Sequence, residues 1–309
     1  MRLKYNMDTK LTYQIGDNLQ HSAVGALHNG MFEMIHVDAI NLLCEVKKGE
    51  LGPFVEACKT LGVFAFNLTM PHKSDIIEFL DECEESSRAF KCVNNVNITK
   101  DGRLIGVGLD GVGMGLAIDE ILGNQYISGK KVLIIGGGAV AGLIAADLCK
   151  RGAKSFVIVN RTVEKAQYIA DTLKDLYGVE AVAGPLDDAY MTEVAPSIDL
   201  SVQCTSLGMI GKDHDFASLN FIDALPATAA VTDVLYPTTK YLEAAKKRGL
   251  PTVTGAKMLM YQQAASLRFR FGDDISLPED WIELAEEYLE TGITIRGIRD
   301  KRRLEKGEK

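Results

Sequence analysis

The chain has 309 residues, 47% of them hydrophobic and 25% charged, with 34 Lys and Arg against 42 Asp and Glu for a net charge of −8. This is an ordinary composition for a globular protein, and the length suits two domains better than one. The acidic balance argues against general nucleic-acid binding, because no basic excess is present to neutralise phosphates. No run approaches about 18 consecutive apolar residues. The segment MRLKYNMDTKLTYQIGD lacks an apolar core with a small-residue cleavage site, so neither a membrane span nor a signal peptide is expected.

In chain order, Thr12 to Ile15 reads as a first strand, followed by a loop from Asn18 to Ser22 and a helix from Ala23 to Glu33. Asp38 to Val46 reads as a strand, Leu51 to Leu61 has helical spacing, and Phe64 to Leu68 is a strand ending in Thr69-Met70-Pro71-His72-Lys73. Pro71 stands where a helix can begin, with Ser74 to Leu80 continuing it. Cys92 to Asn97 and Arg103 to Val107 flank the turn Lys100-Asp101-Gly102 and read as a hairpin or adjacent strands. Gly111 to Leu122 is helical.

The second half alternates strand and helix: strand 131–135, helix 139–150, strand 155–159, helix 163–176, strands 180–183, 198–204 and 229–235, and helix 239–247. The fold class is therefore α/β, with a parallel, doubly wound sheet of Rossmann type. Met258 to Phe271 is a strongly apolar helix that can return to the first domain, and Trp281 to Glu290 reads as a last surface helix. The basic segment Arg296 to Lys309 reads as a solvated helix end or frayed tail.

The most informative stretch is KVLIIGGGAVAG, residues 131–142, followed by FVIVNRT, residues 156–162. Gly136, Gly138 and Ala141 stand at G-x-G-x-x-A spacing behind a buried strand. The first glycine permits the tight turn, the second lets a pyrophosphate approach the backbone, and the small third residue lets the helix pack closely. Gly137, Ala139 and Val140 complete the turn and the helix start, whose amides face the phosphates. The second strand ends at Asn160-Arg161-Thr162, where NAD binders carry an acid for the ribose diol. Arg161, with Lys165 one turn later, suits a 2′-phosphate instead, so NADP is the expected cofactor and NAD the alternative. Six scattered cysteines without C-x-x-C indicate thiols in a reducing compartment, the cytoplasm. Five histidines without a ligand spacing indicate no metal.

Several ordered motifs resemble the shikimate/quinate dehydrogenase family over roughly residues 13–272. Asn67-Leu68-Thr69-Met70-Pro71-His72-Lys73 resembles its N-V-T-x-P-x-K, and Val93-Asn94-Asn95 its V-N-T. Asp110-Gly111-Val112-Gly113 resembles the end of N-T-D-G-x-G, and Asn160-Arg161-Thr162 is N-R-T. Cys204-Thr205-Ser206-Leu207-Gly208-Met209 resembles A-T-S-x-G-M, and Met258-Leu259-Met260-Tyr261-Gln262 resembles M-L-x-x-Q. The resemblance implies a two-domain enzyme with its active site in the interdomain cleft. The substrate domain would comprise 1–111, completed by helices 256–309, and the NADP-binding domain 112–255.

The reaction implied is reversible hydride transfer between NADP and a ring hydroxyl or ketone of a small cyclic hydroxy acid, shikimate/3-dehydroshikimate or a relative, as in aromatic amino acid biosynthesis. Lys73 and Asp110, carried over from the matched motifs, would form the proton-handling pair, since alcohol oxidation needs a group that takes a proton as hydride leaves. Thr69, Asn94 and Gln262 would hydrogen-bond substrate hydroxyls, with Ser22 and Tyr236 at the carboxylate. Thr205, Ser206, Leu207, Met209 and Gly255 would join the glycine turn, Asn160, Arg161, Thr162 and Lys165 around the cofactor. Without the motifs, Lys73 would read as a solvated first-turn lysine, Asp110 as an N-cap for helix 111–122, and Asn94 as a satisfier of turn backbone. A homodimer stays open.

The chain departs from the family at the substrate carboxylate. Where the family has S-x-S-P, this sequence has Ser22-Ala23-Val24-Gly25, followed by His28-Asn29, so the second hydroxyl and the proline are missing. Gly108 and Leu109 precede Asp110 in place of Asn and Thr, and Asp233-Val234-Leu235-Tyr236-Pro237 lacks the usual Y-N-P. Quinate, an amino-shikimate or another cyclic polyol acid therefore stay open as substrates, with His21 a candidate substitute donor or a plain loop histidine. A methylene-tetrahydrofolate dehydrogenase and a catalytically silent nucleotide-binding regulator are the other readings. Asn94, Asp110 and Gln262 fit the first less well, and retention of Lys73 and Asp110 argues against the second.

Overall fold

The computed structural model describes residues 5–17, 19, 22 and 24–305, with 294–305 by backbone alone. Asn18, His21 and Ala23 lie outside the described residues, as do the side chains of the basic C-terminal segment. The chain divides into two compact units, residues 1–108 with 266–309, and residues 109–265.

The first unit opens with β1 (Lys10–Gly16), α1 (Val24–Met34), β2 (Ala39–Glu45), α2 (Leu51–Thr60) and β3 (Ala65–Leu68). A 3₁₀ turn (Asp75–Phe79) follows, then β4 (Glu82–Cys83), α3 (Glu85–Ala89), β5 (Asn95–Ile98) and β6 (Leu104–Val107). The strands form a mixed sheet in the order β2-β1-β3-β5-β6-β4, parallel except where β5 pairs antiparallel with β3 and β6. Ile15, Val55, Phe66, Leu68, Ile76, Val93, Val96 and Leu104 fill its core. Pro71 does not begin a helix. The carbonyl of Lys73 accepts the amide of Val93 over 2.9 Å, which takes that acceptor out of a helical ladder and leaves a turn followed by the 3₁₀ segment. β4 and α3 fall where the chain carries no periodic signal. α3 is too short for one and is set by its cap, Glu84, whose carboxylate accepts from the amide and hydroxyl of Ser87 and the hydroxyl of Ser86.

The second unit contains α4 (Asp110–Leu122), β7 (Lys131–Ile135), α5 (Ala139–Lys150), β8 (Ser155–Asn160), α6 (Val163–Tyr177), β9 (Glu180–Pro185) and α7 (Asp188–Val194). It continues through β10 (Leu200–Gln203), α8 (Asn220–Ala224), β11 (Ala230–Asp233), α9 (Lys240–Lys247), β12 (Thr252–Val253) and α10 (Gly255–Phe271). Its six strands are all parallel in the order β12-β11-β10-β7-β8-β9. The central strands are buried on both faces, which is why 131–135 and 155–159 read as continuous apolar runs. The expected strand 198–204 is shorter, because residues 195–197 form a 3₁₀ turn and Cys204 already belongs to the loop beyond β10. Asp110 is the first residue of α4, and Leu109 occupies the cap, so the N-cap reading of Asp110 is not what forms.

α10 runs from the second unit into the first, and α11 (Trp281–Glu305) closes the chain. α11 is not a plain surface helix: Ala285 and Leu289 are buried, and the ring of Tyr288 lies where a side chain on Gly30 of α1 would project. Among the described residues no helix is long and apolar enough to cross a membrane.

Candidate functional site

In the second unit, the C-terminal ends of β7, β8 and β10 converge on a pocket of about 260 Å³. Gly136, Gly137, Gly138, Asn160, Arg161, Thr162, Lys165, Thr205, Ser206 and Leu207 line it, all predicted from sequence. It lies where strand order reverses outward from β7, the usual ligand crevice of an open α/β sheet.

The glycines explain its shape. Gly136 has φ +121°, a conformation side chains rarely adopt, and a Cβ there would sit about 3.1 Å from the backbone of Cys204. Gly138 precedes α5 as its cap, and a Cβ on it would meet nothing within 4 Å. That open face sits at the start of α5, whose cap supplies no side-chain hydrogen bond, so the first amides are available to an anionic group. Asn160 braces the turn: its Oδ1 accepts the amide of Gly137 over 3.0 Å and its Nδ2 donates to the carbonyl of Thr162 over 2.9 Å. Arg161 and Lys165 are exposed at the rim. A glycine cradle at a helix start with two cations beside it fits a phosphorylated dinucleotide.

Leu186, Cys204 and His214 also line the pocket and were not singled out from sequence. Leu186 directly follows β9, and Cys204 precedes Thr205, so both could have been found from strand ends. His214 sits in an irregular loop without a pattern, with its Nε2 2.8 Å from Ser206 Oγ. Burial, with Asp233 and Asp110 adding to it, pushes the Cys204 thiol up, which makes it a poor nucleophile. Ala139, Val140, Met209 and Gly255 do not line this pocket.

Gln262 and Asp110 are brought together in the second unit. Both are buried, and Gln262 Nε2 donates to Asp110 Oδ1 over 2.5 Å. Gln263 Nε2 donates to Gln262 Oε1 over 3.1 Å, which turns the Gln262 amide so that its NH₂ end faces the carboxylate. Gly113 makes this approach possible, since a Cβ there would lie 2.6 Å from the Met258 carbonyl. Tyr236, 39% exposed, follows a turn pinned by Asp233, which accepts the Leu235 amide at 2.9 Å and the Thr239 hydroxyl at 2.6 Å. Burial pushes the Asp233 carboxyl up to about 6 against these two bonds.

In the first unit, β3 and β5 bring Thr69, Lys73 and Asn94 to one end of the sheet. Leu68 N–H donates to the Asn94 carbonyl over 2.9 Å, and the Lys73 carbonyl accepts from Val93. A Cβ on Gly16 would lie 2.4 Å from Thr69 Cγ2, so this corner of the sheet needs a glycine. Asn94 is buried and accepts at Oδ1 from Asn95 Nδ2 over 2.8 Å. Ser22 Oγ accepts the amide of Val24 at 3.4 Å, and Val24 is half-buried.

Two family models match the chain: the shikimate dehydrogenase substrate binding domain over residues 15–96 and shikimate/quinate 5-dehydrogenase over residues 119–208. The chain is 35% identical to the shikimate dehydrogenase (NADP(+)) of Alkaliphilus metalliredigens over 282 residues, covering 90% of this chain and 96% of that one. A solved shikimate dehydrogenase in complex with NADP+ is similar with a TM-score of 0.79 at 28% identity, covering 94% and 97% of the two chains. The ligand-free 5-ketofructose reductase of Gluconobacter sp. strain CHM43 has a TM-score of 0.77 at 26% identity, with coverage of 93% and 99%.

Proposed function

This chain belongs to the shikimate/quinate dehydrogenase family, and from that premise we propose that it is an NADP-dependent oxidoreductase acting on a ring hydroxyl or ketone of a small cyclic hydroxy acid, shikimate/3-dehydroshikimate or a relative. The observation that carries this reading is the glycine cradle at the start of α5 with Arg161 and Lys165 at its rim. Gly136 to Gly138 would take the pyrophosphate, and Arg161 with Lys165 the 2′-phosphate. When bound, NADP supplies or accepts the hydride.

The remaining chemistry falls to side chains. Lys73 is the acid/base: it takes the hydroxyl proton during oxidation and returns it during reduction. Asp110 is the carboxylate that the matched motifs pair with it. Thr69 and Asn94 orient ring hydroxyls, Gln262 holds Asp110 and faces the same group, and Ser22 and Tyr236 attend the carboxylate. Six free thiols favour a reducing compartment, the cytoplasm.

A relative of shikimate as true substrate is favoured by Val24, an apolar side chain where the family has a hydroxyl donor. The similar 5-ketofructose reductase is named for a different ketone on the same fold. NADP+ reduction followed against a panel of shikimate, quinate, amino-shikimate and other cyclic polyols separates these. Lys73→Ala should lower turnover on the best of them by roughly 10²–10⁴-fold with NADP affinity nearly unchanged. Turnover within about threefold of wild type would remove Lys73 from the mechanism, and no turnover on any polyol would favour a silent nucleotide binder.

A further inference from the structure

Arg270, near the end of α10, is 6% exposed. Among the described residues it has no carboxylate partner. Its Nη2 donates to Asn67 Oδ1, while Nε and Nη1 are buried without a partner. Burial pushes the guanidinium down to about 9. His28, also buried, is held neutral by burial first and by Arg270 second, so it adds no second positive charge beside the guanidinium. A cation taken out of water without an opposite charge is expensive. What it obtains in return is visible in the hydrogen bonds that lead away from it.

Those bonds run in one direction. Asn67, which accepts from Arg270, donates through Nδ2 to Asn95 Oδ1 over 2.6 Å. Ser266 Oγ donates to the same oxygen over 2.6 Å. Asn95 Nδ2 then donates to Asn94 Oδ1 over 2.8 Å. Arg270 has donors only, so Asn67 must meet it with its carbonyl end. That choice sends the Asn67 NH₂ to Asn95, whose NH₂ is sent in turn to Asn94. Each amide fixes the flip of the next, and a charge-assisted bond at the head of such a chain strengthens the bonds beyond it. Asn95 stands where the resembling motif V-N-T has threonine. An amide accepts and donates at two separate atoms, whereas a threonine hydroxyl offers a single atom for both.

We propose that Arg270 is a positioning residue that, through Asn67 and Asn95, holds the Asn94 amide in one orientation, with its oxygen engaged by Asn95 inside the unit. The proposal rests on the reading of Asn94 as a substrate-binding residue.

The test compares Arg270→Met, Arg270→Lys, Asn95→Thr and Asn94→Ala, each measured for kcat and KM with the best cyclic substrate at saturating NADP, for NADP affinity, and for Tm. Arg270→Met should raise substrate KM about tenfold, the loss expected for one misaligned hydrogen bond, with NADP affinity unchanged. Arg270→Lys, which keeps a donor, should recover part of this. Asn95→Thr should give the same phenotype, and the Arg270→Met/Asn95→Thr double variant should be no worse than the poorer single, because both interrupt one chain of bonds. If Arg270→Met does not fold, Asn95→Thr carries the comparison. Unchanged KM in folded Arg270→Met or Asn95→Thr, with Asn94→Ala impaired, overturns the proposal alone. Unchanged KM in Asn94→Ala overturns the reading of Asn94, and the proposal with it.

Discussion

Gly136 and Gly138 stand two residues apart in one turn, and the structure assigns them different duties, so their substitutions should separate stability from cofactor binding. Gly138 has φ −86° and ψ 169°, extended backbone open to any residue, and a Cβ there meets nothing within 4 Å. Gly138→Val should therefore fold, losing about 1 kcal/mol for a poorer helix cap, or about 2–4 °C in Tm. The valine would project into the pocket where the phosphates are proposed to approach the first amides of α5. Two charge-assisted hydrogen bonds at about 1.5–3 kcal/mol each would be lost, some 3–6 kcal/mol, which is roughly 10²–10⁴-fold in NADP affinity. Gly136→Ala should behave oppositely in origin. At φ +121°, with its Cβ 3.0 Å from Thr205 Cγ2 and 3.1 Å from the Cys204 carbonyl, it strains the backbone by about 1–3 kcal/mol before any ligand is present. Isothermal titration with NADP+ and thermal unfolding, run on both variants, test this. NADP binding by Gly138→Val within about threefold of wild type, at near wild-type Tm, would refute the assignment of the phosphates to this cradle.

Arg161→Ala should weaken NADP by roughly 10- to 150-fold and leave NAD little changed; equal losses would show that Arg161 holds the adenine or the loop instead of the 2′-phosphate. Val24→Ser should raise kcat/KM for shikimate by up to about tenfold. A wild type that already handles shikimate with a low micromolar KM, unaffected by the change, would show that another donor holds the carboxylate. His28 is neutral in the folded chain, with its pKa lowered from 6.5 mainly by burial. The unfolded chain binds the extra proton, so stability from this residue is present above pH 6.5 and falls by about 1.4 kcal/mol per pH unit below it. His28→Phe should flatten the denaturation free energy below about pH 6.5 relative to wild type, and identical slopes would contradict the burial argument.

The parts of this protein that sequence makes legible are those where one physical demand repeats along the chain. Strand 131–135 and helix 139–150 lie where the apolar run and the glycine turn place them, because a strand buried on both faces must be apolar throughout and the turn needs Gly136 at positive φ. The pocket residues on that turn and on Asn160-Arg161-Thr162 follow for the same reason. The helix expected from Pro71 fails because a distant amide, that of Val93, takes the Lys73 carbonyl. No local pattern carries that information. β4, α3, α7, α8 and β12 are too short to repeat an apolar pattern along the chain, and His214 enters the pocket from an irregular loop. Arg270 shows most sharply where sequence reading stops. In the apolar run Met258 to Phe271 it passes for a helix cation that would turn to water, yet it is buried and donates to Asn67, 203 residues earlier. Periodicity states which face of a helix is buried only when the buried face is apolar. Where a buried face carries charge for a polar network, the partners lie on other strands, and only the pairing of β3 with β5 shows why the cation is there.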